Sequence, residues 1–173
     1  MNENLIAPCG MNCALCIAYQ SRENDLNKLD FRRTYCPGCI PRGKNCLHMG
    51  DHCLQLRDGK LRFCYRCEAF PCKRLKSLDK RYRGKYHMSM IENLKYVQVN
   101  GMDAFLEKEK VKWRCPACGG LICCHNGLCL HCDFPTLRGK KILLAGGKGR
   151  WKHSIAWSML VFTFTLFSIM MRA

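Results

Sequence analysis

Apolar residues at helical spacing predict three helices in the middle of the chain. The first covers about residues 71–82, where Pro71 is a favoured first residue. The second covers residues 90–99, begins with a capping-box pattern at Ser89 and ends at Gly101. The third runs to about residue 112. The apolar faces of these helices contain Leu75, Leu78, Ile91, Leu94, Phe105 and Leu106.

The cysteines change this picture, because sixteen of them occur in a chain of 173 residues. The start, MNENLIAPCG, has neither the basic residues nor the apolar core of a secretion signal. We therefore expect a cytoplasmic protein, in which CxxC pairs are metal ligands rather than disulfides. Metal-bound thiolates would lower the formal net charge of +16 to about +10, if three zinc ions each have four thiolates.

A zinc ribbon is predicted after the third helix. The segment 113–134 contains a CPAC pair and a CLHC pair separated by ten residues, the layout in which two hairpin knuckles hold one ion. Asn126-Gly127 suits the turn between them, and backbone N–H groups of Ala117, Gly119 and His131 are expected to donate to the sulfurs. The predicted ligands are Cys115, Cys118, Cys129 and Cys132, with Cys123 and Cys124 as candidates for alternative ligation.

Ten further cysteines precede the second helix, enough for two four-ligand sites with two cysteines left over. The sequence leaves their partition open. One partition places Cys36, Cys39, Cys64 and Cys67 in one site and Cys9, Cys13, Cys16 and Cys72 in the other. Cys46 and Cys53 are candidate substitutes in either site. His48 and His52 flank these two positions, and we interpret them as solvated loop histidines rather than ligands.

Zinc is the predicted metal, with about three sites in the chain. A 4Fe–4S cluster held by the N-terminal cysteines is the alternative, since four cysteines suit both. The CxxxCxxC spacing at residues 9–16 equals that of radical S-adenosylmethionine enzymes, but the strand–helix repeats of their barrel do not follow it. No catalytic triad or paired carboxylates stand out, so the sequence favours a binding protein over an enzyme.

The first predicted helix carries a basic patch, with Tyr82 and Tyr86 between the charges. Such a surface binds nucleic-acid phosphates and stacks bases, which predicts an adaptor for nucleic acid or for a protein partner. The alternative, which the pattern favours, is a solvated face whose charge offsets nearby thiolates. The candidate contacts are Lys73, Arg74, Arg81, Arg83 and Lys85.

Together these patterns predict a small metal-stabilised α+β fold. Its parts are a Cys-rich metal-binding domain (1–88), a short helical connector (89–112), a zinc ribbon (113–135) and a basic linker with a hydrophobic tail (136–173). In the tail, residues 155–171 carry no charge and lie at the short limit for a transmembrane helix. A membrane tail-anchored adaptor is therefore one alternative, beside a tail that packs elsewhere and a terminal extension without a role.

Three motifs, APCGMNCALC, CPGC and CYRCEAFPC, resemble those of a bacterial and archaeal family of small cysteine-rich proteins of unknown function. The family has CGxxCxxC near its N-terminus and CxxCxxFPC later in the chain. The resemblance covers about residues 5–135, since longer members share the helical connector and a CPxCGG ribbon. It implies a metal-binding domain and no established activity.

Overall fold

The computed structural model describes residues 1–43, 49 and 53–139. In this part of the chain, α-helices and one two-stranded sheet alternate with short 3₁₀ turns. A small cysteine-rich fold of helices with a two-stranded sheet is thus present. The helices are α1 (Ile17–Glu23), α2 (Leu54–Arg57), α3 (Lys73–Tyr86), α4 (Met90–Lys112) and α5 (Phe134–Gly139), and the strands are β1 (Ile122–Cys123) and β2 (Leu128–Cys129).

Helices α3 and α4 are joined around a buried carboxylate. Asp79 accepts hydrogen bonds from the Ser89 hydroxyl at 2.7 Å and from the Ile91 N–H at 3.1 Å, and it pairs with Arg83 at 2.9 Å. The Ser89 oxygen in turn accepts the Glu92 N–H at 3.0 Å, which confirms the predicted serine cap of α4. Because the buried charge is fully partnered, it fixes the angle of the α3–α4 turn.

Helix α3 starts and ends later than the sequence predicts. Cys72 has an extended backbone with ψ of 164°, so the helix begins at Lys73 and not at Pro71. It continues beyond Tyr82 to Tyr86 and stops at His87, whose φ of +51° is left-handed. The apolar pattern does not reveal this last turn because its residues are mainly basic and exposed.

Helix α4 consists of two helical parts separated at Gly101, as the sequence predicts. The glycine has φ of +83° and ψ of 171°, a conformation that is essentially restricted to glycine. Leu94 on one side of this break and Phe105 on the other are both fully buried. Both halves of the predicted connector therefore contribute to the core.

The two strands form a short antiparallel hairpin after α4. Ile122 pairs with Cys129 and Cys123 with Leu128. The predicted Asn126-Gly127 turn is confirmed: Gly127 has φ of +69°, and the Asn126 side chain accepts the Leu128 N–H at 3.0 Å.

This hairpin packs against the N-terminal segment rather than standing apart from it. The Cys124 N–H donates to the Leu15 carbonyl at 2.9 Å. The main core cluster includes residues from the N-terminal segment, α3, α4 and the hairpin, among them Leu15, Leu75, Leu94, Phe105 and Cys124. A smaller cluster on the other side of the hairpin joins Ile17, Leu26, Phe31, Cys123, Leu130 and Leu137.

Several predicted features lie outside the described residues. They are the hydrophobic tail 155–171, most of the basic linker, Cys46, His48 and His52. Among the helices that the structure does describe, none has both the length and the apolar character to cross a membrane.

Candidate metal centres

Four sulfurs meet where α4 leads into the hairpin, and we call them the four-sulfur group. The Sγ atoms of Cys115, Cys118, Cys129 and Cys132 all lie within 4.8 Å of one another. Cys115 and Cys132 are 3.9 Å apart, and Cys118 and Cys129 are 3.5 Å apart. Cys115 and Cys129 are buried while Cys118 and Cys132 are exposed, so the group lies at the surface of the fold.

These distances match the coordination sphere of one ion. A zinc–sulfur bond of about 2.3 Å in a tetrahedron places neighbouring sulfurs about 3.8 Å apart. The two measured separations of 3.9 and 3.5 Å lie on either side of this value. The four cysteines therefore have the geometry of a closed site that can hold a single metal ion.

Backbone turns direct N–H groups at these sulfurs. The Gly120 N–H donates to the Cys118 sulfur at 3.4 Å. Ala117 and His131 donate to Cys115 and Cys129, as predicted. The prediction for Gly119 is wrong, because its N–H donates to the Cys115 carbonyl at 2.9 Å and closes the turn instead.

The thiols of the four-sulfur group differ in pKa. The N–H of Cys118 is the main cause that lowers the pKa of Cys115 to about 7. The hydrogen bond with Cys118 raises the pKa of Cys132 to about 12, and burial raises that of Cys129. One thiol thus loses its proton easily while two neighbours retain theirs, and a bound cation is what would make all four thiolates stable together.

The N-terminal cysteines lie in two neighbourhoods. Cys39 is hydrogen-bonded to Cys13 and is the main cause that lowers its pKa, and the charges of Cys16 and Cys36 also act on this thiol. This neighbourhood differs from the predicted sets, in which Cys36 and Cys39 share a site with Cys64 and Cys67.

The second neighbourhood surrounds Cys64. Burial is the main cause that raises the pKa of Cys64 to about 12, and the charges of Cys53, Cys72 and Cys67 contribute to this rise. The partition given above places Cys72 in one site with Cys9, which is 1% exposed in the main core. Within the described residues, neither neighbourhood brings three or more sulfurs as close together as the four-sulfur group does.

Both neighbourhoods lie in a segment that matches a family model. Residues 5–77 match the family model DUF3795, described as a protein of unknown function. This match confirms the resemblance to a cysteine-rich family of unknown function. The DUF3795 segment, residues 5–77, contains the N-terminal cysteines and ends before the four-sulfur group. No curated protein and no solved structure matches the chain.

Cys123 and Cys124, the two remaining cysteines of the hairpin, are fully buried. They face the cores on either side of the sheet, and neither belongs to the four-sulfur group. Burial raises the pKa of Cys123 to about 12 and that of Cys124 well above its usual range. Uncharged buried thiols of this kind act as small apolar side chains.

His125 attaches the hairpin to both α1 and α3, a role that the sequence did not reveal. Its Nδ1 lies 3.4 Å from the Ile17 N–H, and its Nε2 lies 3.4 Å from the Tyr82 hydroxyl. The Tyr86 ring meets it edge to face at 4.8 Å. Burial, aided by Arg81 and Arg33, lowers the pKa of His125 to about 4, so the ring is neutral at neutral pH.

The basic residues of α3 face solvent, whereas its tyrosines do not. Tyr82 and Tyr86 are half-buried and contact each other and His125, so their rings pack against the hairpin. The side chains on the exposed face are Lys73, Arg74, Lys76, Lys80, Arg81, Arg83 and Lys85.

Proposed function

We propose that this chain is a zinc-binding protein in which the four-sulfur group holds one ion in a zinc ribbon. The observation that carries the proposal is the pair of sulfur–sulfur distances, 3.9 and 3.5 Å, which suit one tetrahedral ion. Two short knuckles supply the ligands, one after α4 and one from β2. This pattern is that of a ribbon, although the strands are only two residues long.

The site would be structural rather than catalytic. Four thiolates complete the coordination of zinc, whereas catalytic zinc keeps one position open for water or substrate. A cluster of several iron ions would need its ligands further apart than two sulfurs that share one ion. The iron–sulfur alternative is therefore less well supported in the four-sulfur group than zinc.

The zinc proposal is tested by elemental analysis of the purified full-length chain. We expect the Cys118→Ser variant to contain about one zinc ion fewer than the parent, because a tetrahedral site loses most of its affinity for zinc when one of its four thiolates is removed. The matched control is Cys124→Ala, which removes a buried cysteine of the same hairpin and is expected to leave the zinc content unchanged. Iron in place of zinc, or equal metal content in both variants, would contradict the proposal.

Nucleic-acid binding by α3 is a second candidate function. It is favoured by the long run of exposed Lys and Arg side chains on this helix, which could neutralise phosphates without base stacking. Arg83 has a structural partner, since it pairs with buried Asp79 at 2.9 Å, and it is unsuitable for a clean test.

The test therefore combines Lys73→Ala, Arg81→Ala and Lys85→Ala. If α3 contacts phosphates, this triple variant weakens binding to a single-stranded RNA and reduces the slope of log K against log salt by about 2. The control removes three exposed lysines of α4, Lys95, Lys108 and Lys110, and is expected to retain the slope. Equal losses in both variants would indicate general attraction of a basic protein, and absence of salt-dependent binding would exclude this function.

A further inference from the structure

The DUF3795 segment contains the same backbone knuckle twice. Cys13 and Cys64 each begin a 3₁₀ turn that the next cysteine ends, and the closing N–H groups of Cys16 and Cys67 donate to the first cysteine's carbonyl at 3.0 and 3.1 Å. The closing cysteines have nearly equal dihedral angles, φ −79° and ψ 134° against φ −83° and ψ 134°. Residues three apart in such a turn eclipse each other, so each knuckle presents two sulfurs on one side.

The second knuckle opens onto a small cavity lined by four cysteines. Cys53 and Cys72 complete the lining beside Cys64 and Cys67. Each of the two added cysteines caps a helix in an extended conformation, Cys53 before α2 and Cys72 before α3. A thiolate at the start of the longer helix, α3, is favoured by the positive end of the helix dipole.

The lining of this cavity suits a metal ion. Its volume is about 20 Å³, enough for one water-sized particle. Apart from the four cysteines, the walls are apolar and include Leu56, Phe70 and Leu75. An apolar shell of this kind excludes water from a metal site.

The first knuckle has a different pair of cysteines beside it. The Cys36 N–H donates to the Ala18 carbonyl at 3.2 Å, which places the CPGC turn against the start of α1. Cys39 then hydrogen-bonds with Cys13, while the Cys16 sulfur accepts the N–H groups of Ala18 and Tyr19.

Gly38 allows the CPGC turn to pack closely against Leu5. Its φ is +105°, and a Cβ in its place would lie 3.0 Å from the Leu5 side chain. In the first knuckle, the Asn12 side chain accepts the Ala14 N–H at 3.1 Å and so starts the turn that carries Cys13. The turn from Cys13 to Cys16 is thus held by hydrogen bonds of its own backbone and of the Asn12 side chain.

We propose that the DUF3795 segment binds two zinc ions, one held by Cys53, Cys64, Cys67 and Cys72 and the other by Cys13, Cys16, Cys36 and Cys39. Neither set brings three of its sulfurs as close together as the four-sulfur group does, so binding of one ion requires the four ligands of a set to move toward each other. In this division of the cysteines, Cys9 is not a ligand. These sites share no ligand with the zinc ribbon, so either proposal stands if the other fails.

Metal counting on paired variants of the full-length chain tests the ligand sets. Two substitutions in one site remove one ion, and two substitutions in different sites remove two. We expect Cys13→Ser with Cys36→Ser to lose one zinc ion, and Cys36→Ser with Cys64→Ser to lose two. The opposite result would overturn the sets, whatever the ribbon contains, because only differences from the parent are compared. Cys9→Ser is the control and is expected to retain the zinc content of the parent.

A measurement on the unsubstituted chain covers the case in which a variant does not fold. Zinc is removed in steps with a chelator, free thiols are alkylated, and the modified cysteines are identified by peptide mass spectrometry. Cys53 is expected to be protected at full zinc loading and to become modified together with Cys64, Cys67 and Cys72. Modification of Cys53 at full loading, or its release together with Cys36 and Cys39, would overturn the proposal, as would iron instead of zinc.

Discussion

If the four-sulfur group holds zinc as proposed, removal of the zinc is expected to unfold the hairpin that carries this group. Two strands of two residues each cannot hold a sheet in water without further support. Structural zinc sites contribute on the order of 10 kcal/mol to the folding of the segments they hold. We therefore expect a high-affinity zinc chelator to abolish most of the ordered structure over residues 113–132.

Hydrogen exchange measures this effect at individual amides. The Cys115 N–H, bonded to the Gly120 carbonyl at 2.7 Å, and the Ile122 N–H, bonded to the Trp113 carbonyl at 2.8 Å, report on the two sides of the ribbon. Both are expected to be protected with zinc and to exchange rapidly after chelation. The same chelator saturated with zinc beforehand serves as the control.

The loss should spread to the N-terminal segment through the contacts of the hairpin. The Cys124 N–H donates to the Leu15 carbonyl, and His125 contacts both Ile17 and Tyr82. Cys124→Ala is the control for this packing, because it removes part of the packing and keeps all four zinc ligands. The amides of this variant in 113–132 are expected to remain protected. Unchanged protection of the parent after complete removal of zinc would show that the hairpin is held by core packing alone.

The sequence predicted those features that depend on nearby residues. The four-sulfur group is one of them, because one turn closed by Arg114 and Leu121 carries the CPAC pair and the turn at Asn126 and Gly127 reverses the chain toward the CLHC pair. The break at Gly101 and the cap at Ser89 are also local, and both are confirmed. In each case the spacing along the chain determines the spacing in the structure.

The neighbours of the N-terminal cysteines depend on the path of the chain and were not predictable in this way. Cys36 lies near Cys13 because its N–H reaches the Ala18 carbonyl, and the second knuckle is positioned by a hydrogen bond from the Cys64 N–H to the Pro8 carbonyl. Neither contact has a signature in the sequence. A CxxC pair predicts a knuckle, but it does not indicate which second pair completes the site.

The half-buried tyrosines of α3 illustrate the same limit. Their alternation with basic residues is typical of a nucleic-acid surface, and the apolar pattern of the helix ends at Leu78. The structure places His125 of the hairpin against both rings, a contact across more than one predicted segment. Packing decides which side of a helix is covered by a distant hairpin. The apolar periodicity of the helix alone does not reveal that side.

Substitution of Gly10 by alanine is expected to be among the most destabilising single changes in the DUF3795 segment. Gly10 has φ of +87°, and a Cβ there would lie 2.5 Å from the Met90 carbonyl oxygen and 2.8 Å from Leu94 Cγ. The carbonyl belongs to the first turn of α4 and cannot move without disturbing that helix. The left-handed backbone and the overpacking together should cost about 3 kcal/mol.

Gly59→Ala separates the two causes. Gly59 also has a left-handed φ, +67°, but no atom lies within 4 Å of the position that its Cβ would take. This control therefore retains the backbone strain without the steric clash and should cost about 1 kcal/mol. Urea denaturation in zinc-saturated buffer measures the free energy of unfolding of both variants against the parent.

The difference between the two variants also reports on the first knuckle. The Gly10 carbonyl accepts the Asn93 side chain at 2.9 Å, so the chain that leads into Cys13 rests directly on α4. If Gly10→Ala lifts this loop, the zinc ion proposed for Cys13, Cys16, Cys36 and Cys39 should be released at a lower chelator concentration than in Gly59→Ala. Equal losses of stability in the two variants would mean that α4 yields to the added methyl group, and that the close approach of Gly10 does not anchor the knuckle.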